Sequence, residues 1–316
     1  MTFSAAGPSS PGRRSSKAVA LLAALLIGGL AFTGCLDLQA RRADVPVRPL
    51  ESIRDLILLT SDRSPEWGVQ LSPDGRTMAF VARRHGNADV FIADAMGKNP
   101  LQVSLSTADD DNPSWLPDGR ALVFDSDRLG YRAIFRVDLD EERVVHQVVA
   151  RGASDFAAHV SPDGERIAFG AKGPAAESLW IAGIDGSEPA QIGEGTRPRW
   201  SPGGSRLLFV SSKAGNEDLW LVTLDGMRLV QLTVDSANDR AASWSPDGKK
   251  VVFASDRTGN FDIWTLELES GKLTQLTNHL GDDENPVWSP DGRHIYFDSW
   301  RGKNRDLWRL TPVVGP

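Results

Sequence analysis

From Ser52 onward the chain is a succession of short apolar-rich runs, each bounded by Gly, Pro, Asp, Asn or Ser. Residues 241–245, 250–255, 261–266 and 272–277 illustrate the unit: four runs with β-branched and aromatic residues, too short for helices and separated by turn chemistry. The breaks are Ser245-Pro246-Asp247-Gly248, Ser255-Asp256-Arg257-Thr258-Gly259-Asn260 and Glu269-Ser270-Gly271. In the first, Pro pre-sets φ at the second turn position, Asp tolerates the third, and Gly takes the left-handed φ that the returning strand needs. The pattern predicts four antiparallel strands, a to d, per unit.

That first turn is written six times, beginning at Ser72, Leu116, Ser161, Ser201, Ser245 and Ser289, with gaps of 44, 45, 40, 44 and 44 residues. Four strands in such a period are a β-propeller blade. The fold class is therefore all-β: a six-bladed propeller of four-stranded antiparallel blades. The gap of 40 falls where the connection from Gln191 to Trp200 lacks about four residues found in the other units. After its third strand, Arg305 to Leu310, the sixth unit has no room for a fourth. Leu56-Ile57-Leu58-Leu59-Thr60 resembles Leu273-Thr274-Gln275-Leu276-Thr277, a strand d, and Thr60 precedes Ser72 by the same 12 residues that separate Thr277 from Ser289. The N-terminal strand should thus complete the last blade and remove the free edges of an open ring. A short helical turn is expected around Ser52 to Leu56.

Aromatic placement agrees. Trp115, Trp200, Trp244 and Trp288 stand just before the turn, while Trp180, Trp220, Trp264 and Trp308 fall in strand c, where Phe91 and Phe135 fill the other two places. One large aromatic per blade at a fixed position packs sheets face to face, so these eight Trp are assigned to the core rather than to a stacking platform.

Composition adds two constraints. A formal charge of −7 argues against nucleic-acid binding, which needs a basic face. The single cysteine, Cys35, excludes an intramolecular disulfide. It follows a basic segment (Arg13, Arg14, Lys17) and an apolar run from Ala18 to Gly34, the layout of a secretory signal. Gly34-Cys35 resembles the lipobox of bacterial lipoproteins, so residues 1–34 are expected to be a lipoprotein signal peptide. Residues 35–51 would then be a lipidated Cys35 with a flexible tether, and residues 52–316 the propeller. Leu36 after the cysteine favours the outer membrane by resemblance to enteric sorting.

The repeated Trp-Ser-Pro-Asp-Gly, followed by Ser255 to Trp264 in the form Ser-Asp-Arg-x-Gly-Asn-x-Asp-Ile-Trp, resembles the propeller of the TolB family over about residues 52–311. Related repeats occur in the propellers of prolyl oligopeptidases and dipeptidyl peptidases. The resemblance implies a periplasmic cell-envelope protein whose channel mouth docks a protein or peptide, in that family a peptidoglycan-associated lipoprotein. TolB carries an α/β domain before its propeller, for which there is no room between Cys35 and Ser52.

In a propeller, strand a lines the channel and the d-to-a connections form the usual ligand rim. Those connections offer Asp109-Asp110-Asp111-Asn112 and Asp282-Asp283-Glu284-Asn285, with Glu66 and Trp67 beside them. Roughly opposite come Arg197, Arg199 and Arg240, with Asp155, Phe156 and His159 between. A rim so polarised orients a charged partner. The partner-binding set is therefore Glu66, Trp67, Asp110, Asp111, Asn112, His159, Arg197, Arg199, Arg240, Asp283, Glu284 and Asn285. No cofactor or metal is expected, because the acidic loops lack the ligand spacing and Gly of a calcium loop. Asp89, Asp218, Asp262 and Asp306 in strand c are read as hydrogen-bond acceptors. The chain has no Gly-x-Ser-x-Gly elbow. The expected function is non-enzymatic, that of a monomeric, lipid-anchored binding scaffold. The alternative is a propeller lyase or hydrolase acting on polysaccharide through a metal at the mouth; oligogalacturonide lyases resemble the repeat, and only His159 and His279 of the five histidines could meet there.

Overall fold

A computed structural model describes residues 52–140 and 142–313; the signal-peptide, Cys35 and tether assignments lie outside the described residues. Six four-stranded antiparallel sheets follow one another along the chain. Their innermost strands are Glu66–Leu71, Asp110–Trp115, Asp155–Val160, Thr196–Trp200, Asp239–Trp244 and Asp283–Trp288, strand a of blades 1 to 6. The sixth sheet is completed from the other end of the sequence. Ile53–Leu58 lies antiparallel to Asp306–Pro312, with Leu56 opposite Leu310 and Leu58 opposite Trp308. The closing strand therefore begins at Ile53, where a helical turn was expected. Ile53 and Leu56 pack against the core shared by blades 5 and 6, so extended pairing wins over local propensity.

Strand b is buried along almost its whole length and carries one phenylalanine per blade: Phe80, Phe124, Phe169, Phe209, Phe253 and Phe297. Each faces the strand-c aromatic directly across the ladder, as in Phe80↔Phe91, Phe169↔Trp180 and Phe253↔Trp264. Cores are shared between neighbouring blades, and that of Val69, Met78 and Phe80 with Val287, Tyr296 and Leu307 joins blade 1 to blade 6.

The repeated turns close a second ring. Each is held by the Gly amide donating to the carbonyl of the turn's first residue (Gly75 N to Ser72 O, 2.8 Å), and in the turns that carry both Ser and Asp by the Ser hydroxyl donating to the carboxylate (Ser72 to Asp74, 2.6 Å). The turn glycines adopt φ between 68° and 75°, where a side chain is strained. Each also abuts the proline of the preceding turn: Gly119 on Pro73, Gly164 on Pro117, Gly204 on Pro162, Gly248 on Pro202, Gly292 on Pro246 and Gly75 on Pro290. The last contact joins blade 1 to blade 6 without using the N-terminal strand. The tryptophans before the turns pack as expected and also stitch blades together. Trp115 Nε1 donates to Gln70 O, Trp200 to His159 O and Trp244 to Arg199 O, at 3.0–3.1 Å.

Candidate functional site at the channel mouth

Every strand a is bulged against strand b, and in every blade the residue immediately before the strand's last three is left-handed: Gly68, Asn112, Ala157, Arg197, Ala241 and Asn285, φ 50–68°. The bulge turns the first half of the strand toward the axis. The narrow part of the channel, a cavity of about 20 Å³, is lined by Gln70, Asn112, Arg197, Arg199 and Asn285 among others. It holds little more than one water.

The residue that opens strand a points the other way, into the blade. Glu66, Asp110, Asp155, Asp239 and Asp283 are all fully buried. Each pairs with an arginine that lies over the aromatic pair of its own blade: Arg84, Arg128, Arg151, Arg257 and Arg301. Four of these arginines come from the b–c loop. Blade 3 lacks one there, and Arg151 reaches the same place from the preceding connection. Glu66, Asp110 and Asp283 were expected on the rim as partner contacts. They are instead internal counter-ions, because a side chain at the start of strand a meets the arginine cap before it meets solvent.

The next residue does reach the mouth, and here a network runs across four blades. Arg240 of blade 5 lies 3.7 Å from the centre of the Phe261 ring and pairs with Glu284 of blade 6. Glu284 pairs with Arg305 at 3.1 Å, and Arg305 faces the ring of Trp67 in blade 1. Trp67 Nε1 donates to Asp111 of blade 2 at 3.2 Å. Arg240 thus belongs to the acidic side, not to a basic side facing it: blades 5 and 6 are neighbours, and the carboxylate of one takes up the cation of the other.

Beneath this network are two buried carboxylates that the sequence reading did not single out. Asp125 accepts from Asn112 Nδ2 (2.8 Å), from Arg132 and from the backbone N of Ala157 in blade 3 (2.9 Å). Asp298 accepts from Asn285 Nδ2 (3.0 Å), from Arg305 (2.7 Å) and from the backbone N of Gly68 in blade 1 (3.0 Å). Each clamps the bulge of the next blade. Burial, and then the nearby Asp111, push the Asp125 carboxyl up to about 6. The signal was available: Asp stands in strand b only where Asn-Pro stands in strand a, and the other blades have Val81, Gly170, Val210 and Ala254. Strand c keeps its expected acceptors in part. Asp218 accepts from Gln231 and Thr233, and Asp262 from Gln275 and Thr277, at and just beyond the end of strand d. Asp89 is buried with neither carboxylate oxygen bonded.

Blade 4 departs from the scheme. Gly195 replaces the opening acid at φ 149°, where a Cβ would lie 2.5 Å from the Phe209 ring and 2.7 Å from Val210 O. Lys213, 3.6 Å over Trp220, replaces the arginine. Strand d of blade 3, Ala190–Glu194, runs into strand a, Thr196–Trp200, through Gly195 alone, which accounts for the short repeat. Across that lowered rim Arg197 and Arg199 face the channel, and neither has an ion-pair partner among the described residues. Desolvation, then repulsion from Arg197, lower Arg199 to about 10, so it stays charged at neutral pH. Desolvation, then Arg199, lower His159 to about 3, so it stays neutral. His159 Nδ1 faces the Trp200 amide at 3.4 Å, and His279 Nδ1 accepts from Gly281 N within its own exposed loop. Among the described residues no three His, Cys, Asp or Glu side chains are grouped to hold a metal.

The fold and mouth define a six-bladed propeller of the Ser-Pro-Asp-Gly repeat class with a charged rim. The chain belongs to the TolB beta propeller domain family, which matches residues 36–197 and 189–273. Tol-Pal system protein TolB of Wolinella succinogenes is 29% identical over 102 residues, 32% of this chain and 24% of that protein. TolB of Anaeromyxobacter dehalogenans is 30% identical over 110 residues, 35% of this chain and 25% of that protein. The chain thus matches about a quarter of the length of these curated relatives. Among solved structures, TolB of Acinetobacter baumannii superposes with TM-score 0.62 at 20% identity, covering 80% of this chain and 64% of that one. Oligogalacturonate lyase in complex with manganese superposes with TM-score 0.58 at 15% identity, covering 81% and 93%. At such identities these two likenesses concern the fold.

Proposed function

We propose that this chain is a non-enzymatic binding propeller of the bacterial envelope, which docks an acidic segment of a protein or peptide at the channel mouth. The observation that carries the reading is the charge balance of the rim. The cations of blades 5 and 6 are neutralised by Glu284, whereas Arg197 and Arg199 point into the channel unpaired, beside the one place where the rim has no loop. Two unpaired guanidiniums, that of Arg199 partly desolvated, form a donor site for carboxylates. Family membership supports a TolB-like role, with an envelope protein such as a peptidoglycan-associated lipoprotein as the partner class. Periplasmic location, a monomeric state and an anchor at Cys35 to the outer membrane complete the proposal.

The test is crosslinking and pulldown from membranes with the wild-type protein and with R197A/R199A. Removing one side of a desolvated charge pair costs about 2–5 kcal/mol, so the variant should lose its partner by roughly thirtyfold or more. Retention of every partner refutes the assignment. Separately, Cys35→Ser should release the protein from the membrane fraction, and unchanged partitioning refutes the anchor.

A further inference from the structure

The face opposite the mouth, where the repeated turns lie, carries a site of its own. In blades 2, 4, 5 and 6 the turn is preceded by a tryptophan, and in blades 4 and 5 an arginine from the blade before, two positions after its turn glycine, covers the ring. Arg166 covers Trp200 at 4.7 Å and Arg206 covers Trp244 at 4.8 Å, and Lys250 stands at the same position before Trp288. Arg166 also lies 3.7 Å from Asp163 of its own turn. Before Trp115 that position is held by Thr77, which has neither the length nor the charge. A groove of about 500 Å³ opens there, lined by Thr77, Trp115, Ile92 and Leu139, with the turn carboxylates Asp74 and Asp118 at its edge.

The groove has the parts of the Arg166 site without the arginine. Asp74 occupies the place of Asp163, and bonds from the Ser72 hydroxyl and the Arg76 amide hold its carboxyl below the usual range. No cation lies within ion-pair distance of Asp74 or Asp118 among the described residues. We infer that this groove binds a basic side chain, arginine before lysine, from a polypeptide partner, in the position that Arg166 and Arg206 occupy at the equivalent interfaces. The guanidinium stacks on the Trp115 ring and faces Asp74, while its methylenes lie on Ile92 and Leu139. The inference does not depend on the mouth, which is at the other end of strand a.

The experiment follows the Trp115 indole N–H by nuclear magnetic resonance, the signal being the one lost in W115F. Titration with N-acetyl-arginine amide should shift it saturably, with a dissociation constant of about 10–100 mM, the scale of one cation–π contact and one ion pair. The lysine amide should bind more weakly, and the neutral glutamine amide should leave the signal unmoved. T77R should supply the missing side chain internally, raise the melting temperature and abolish the titration. D74N, which leaves the groove open, should weaken binding about two- to fivefold. The inference is overturned if neither cation moves the signal, if the glutamine amide or a neutral oligosaccharide moves it as well as arginine does, or if T77R and D74N both bind arginine like the wild type.

Discussion

Arginine 257 offers the sharpest test of the blade architecture. Its Nη2 donates to both oxygens of Asp239 at 2.9 Å, its Nε donates to Ser255 Oγ at 2.7 Å, and its guanidinium lies 4.9 Å from the Trp264 ring. Asp239 has no solvent exposure and Arg257 has 10%. Burial already pushes the Asp239 carboxyl up against the pull of Arg257. Arg257→Met keeps the apolar stem but strands a buried carboxylate, which costs about 3–5 kcal/mol. Asp239→Asn combined with Arg257→Met removes both charges, and such double replacements are near neutral or mildly destabilising, so about half or more of that loss should return. Blade 4 provides the internal control, since Lys213 covers Trp220 with Gly195 in place of the acid. Lys213→Met should cost at most about 1 kcal/mol, the worth of an exposed cation–π contact. Urea unfolding of the three variants measures all of this. The reasoning fails if R257M costs no more than K213M, or if the double variant is no more stable than R257M, because either result means that Asp239 is not held by Arg257.

Three further outcomes follow from the same structure. Burial, and after it Asp239, push Asp218 up to about 6, and burial with Asp283 does the same for Asp262. Between about pH 4 and 6 the unfolded chain releases these protons while the folded chain keeps them, so stability falls as pH rises through that window. Relative to wild type, D262N should gain up to about 3 kcal/mol in going from pH 4 to pH 7.5, and a constant difference between the two refutes the shift. His159, lowered to about 3, should titrate nowhere between pH 5 and 8, so partner affinity at the mouth should not follow its charge; an imidazole resonance moving near pH 6.5 contradicts its placement. Gly292→Ala, at φ 69° and with Pro246 3.8 Å from the added carbon, should cost about 1 kcal/mol or more in thermal unfolding through backbone strain, not a clash.

What could be read in the chain was whatever recurs. Blade number, the turn at Ser245 to Gly248, the core role of the tryptophans and the closing strand all rest on residues repeated at a fixed interval, and repetition averages out local ambiguity. Side-chain direction within strand a could not be read. Asp110 and Asp111 are adjacent and alike, yet one is sealed under Arg128 and the other accepts from Trp67, because successive residues of a strand point to opposite sides. The bulge then adds a residue, so simple alternation loses its register halfway along the strand. Arg240 was misplaced for a different reason. Its neighbour Glu284 lies 44 positions away, and long-range pairing around a ring cannot be judged from loop composition.

The exceptions, by contrast, are the positions on which both proposed sites rest. An acid, an arginine and an aromatic pair in a blade satisfy one another and leave nothing for a ligand, so a blade that keeps all three is closed at that point. Blade 4 gives up the acid at Gly195 and with it the loop above, Lys213 stands in place of the capping arginine, and Arg197 and Arg199 of strand a face the channel. Blade 1 gives up the arginine at Thr77, and the tryptophan it would have covered is left as the base of a groove. At the turn face the complete interaction stands at Arg166 and Arg206 in the same molecule, so the missing chemistry is legible by comparison, whereas at the mouth it is legible from two cations without an ion-pair partner among the described residues. The blade-4 side of the mouth lacks a carboxylate for Arg197 and Arg199, and the turn face lacks a cation at Asp74. A partner that supplies both would have to reach both ends of strand a, and two separate partners would not compete.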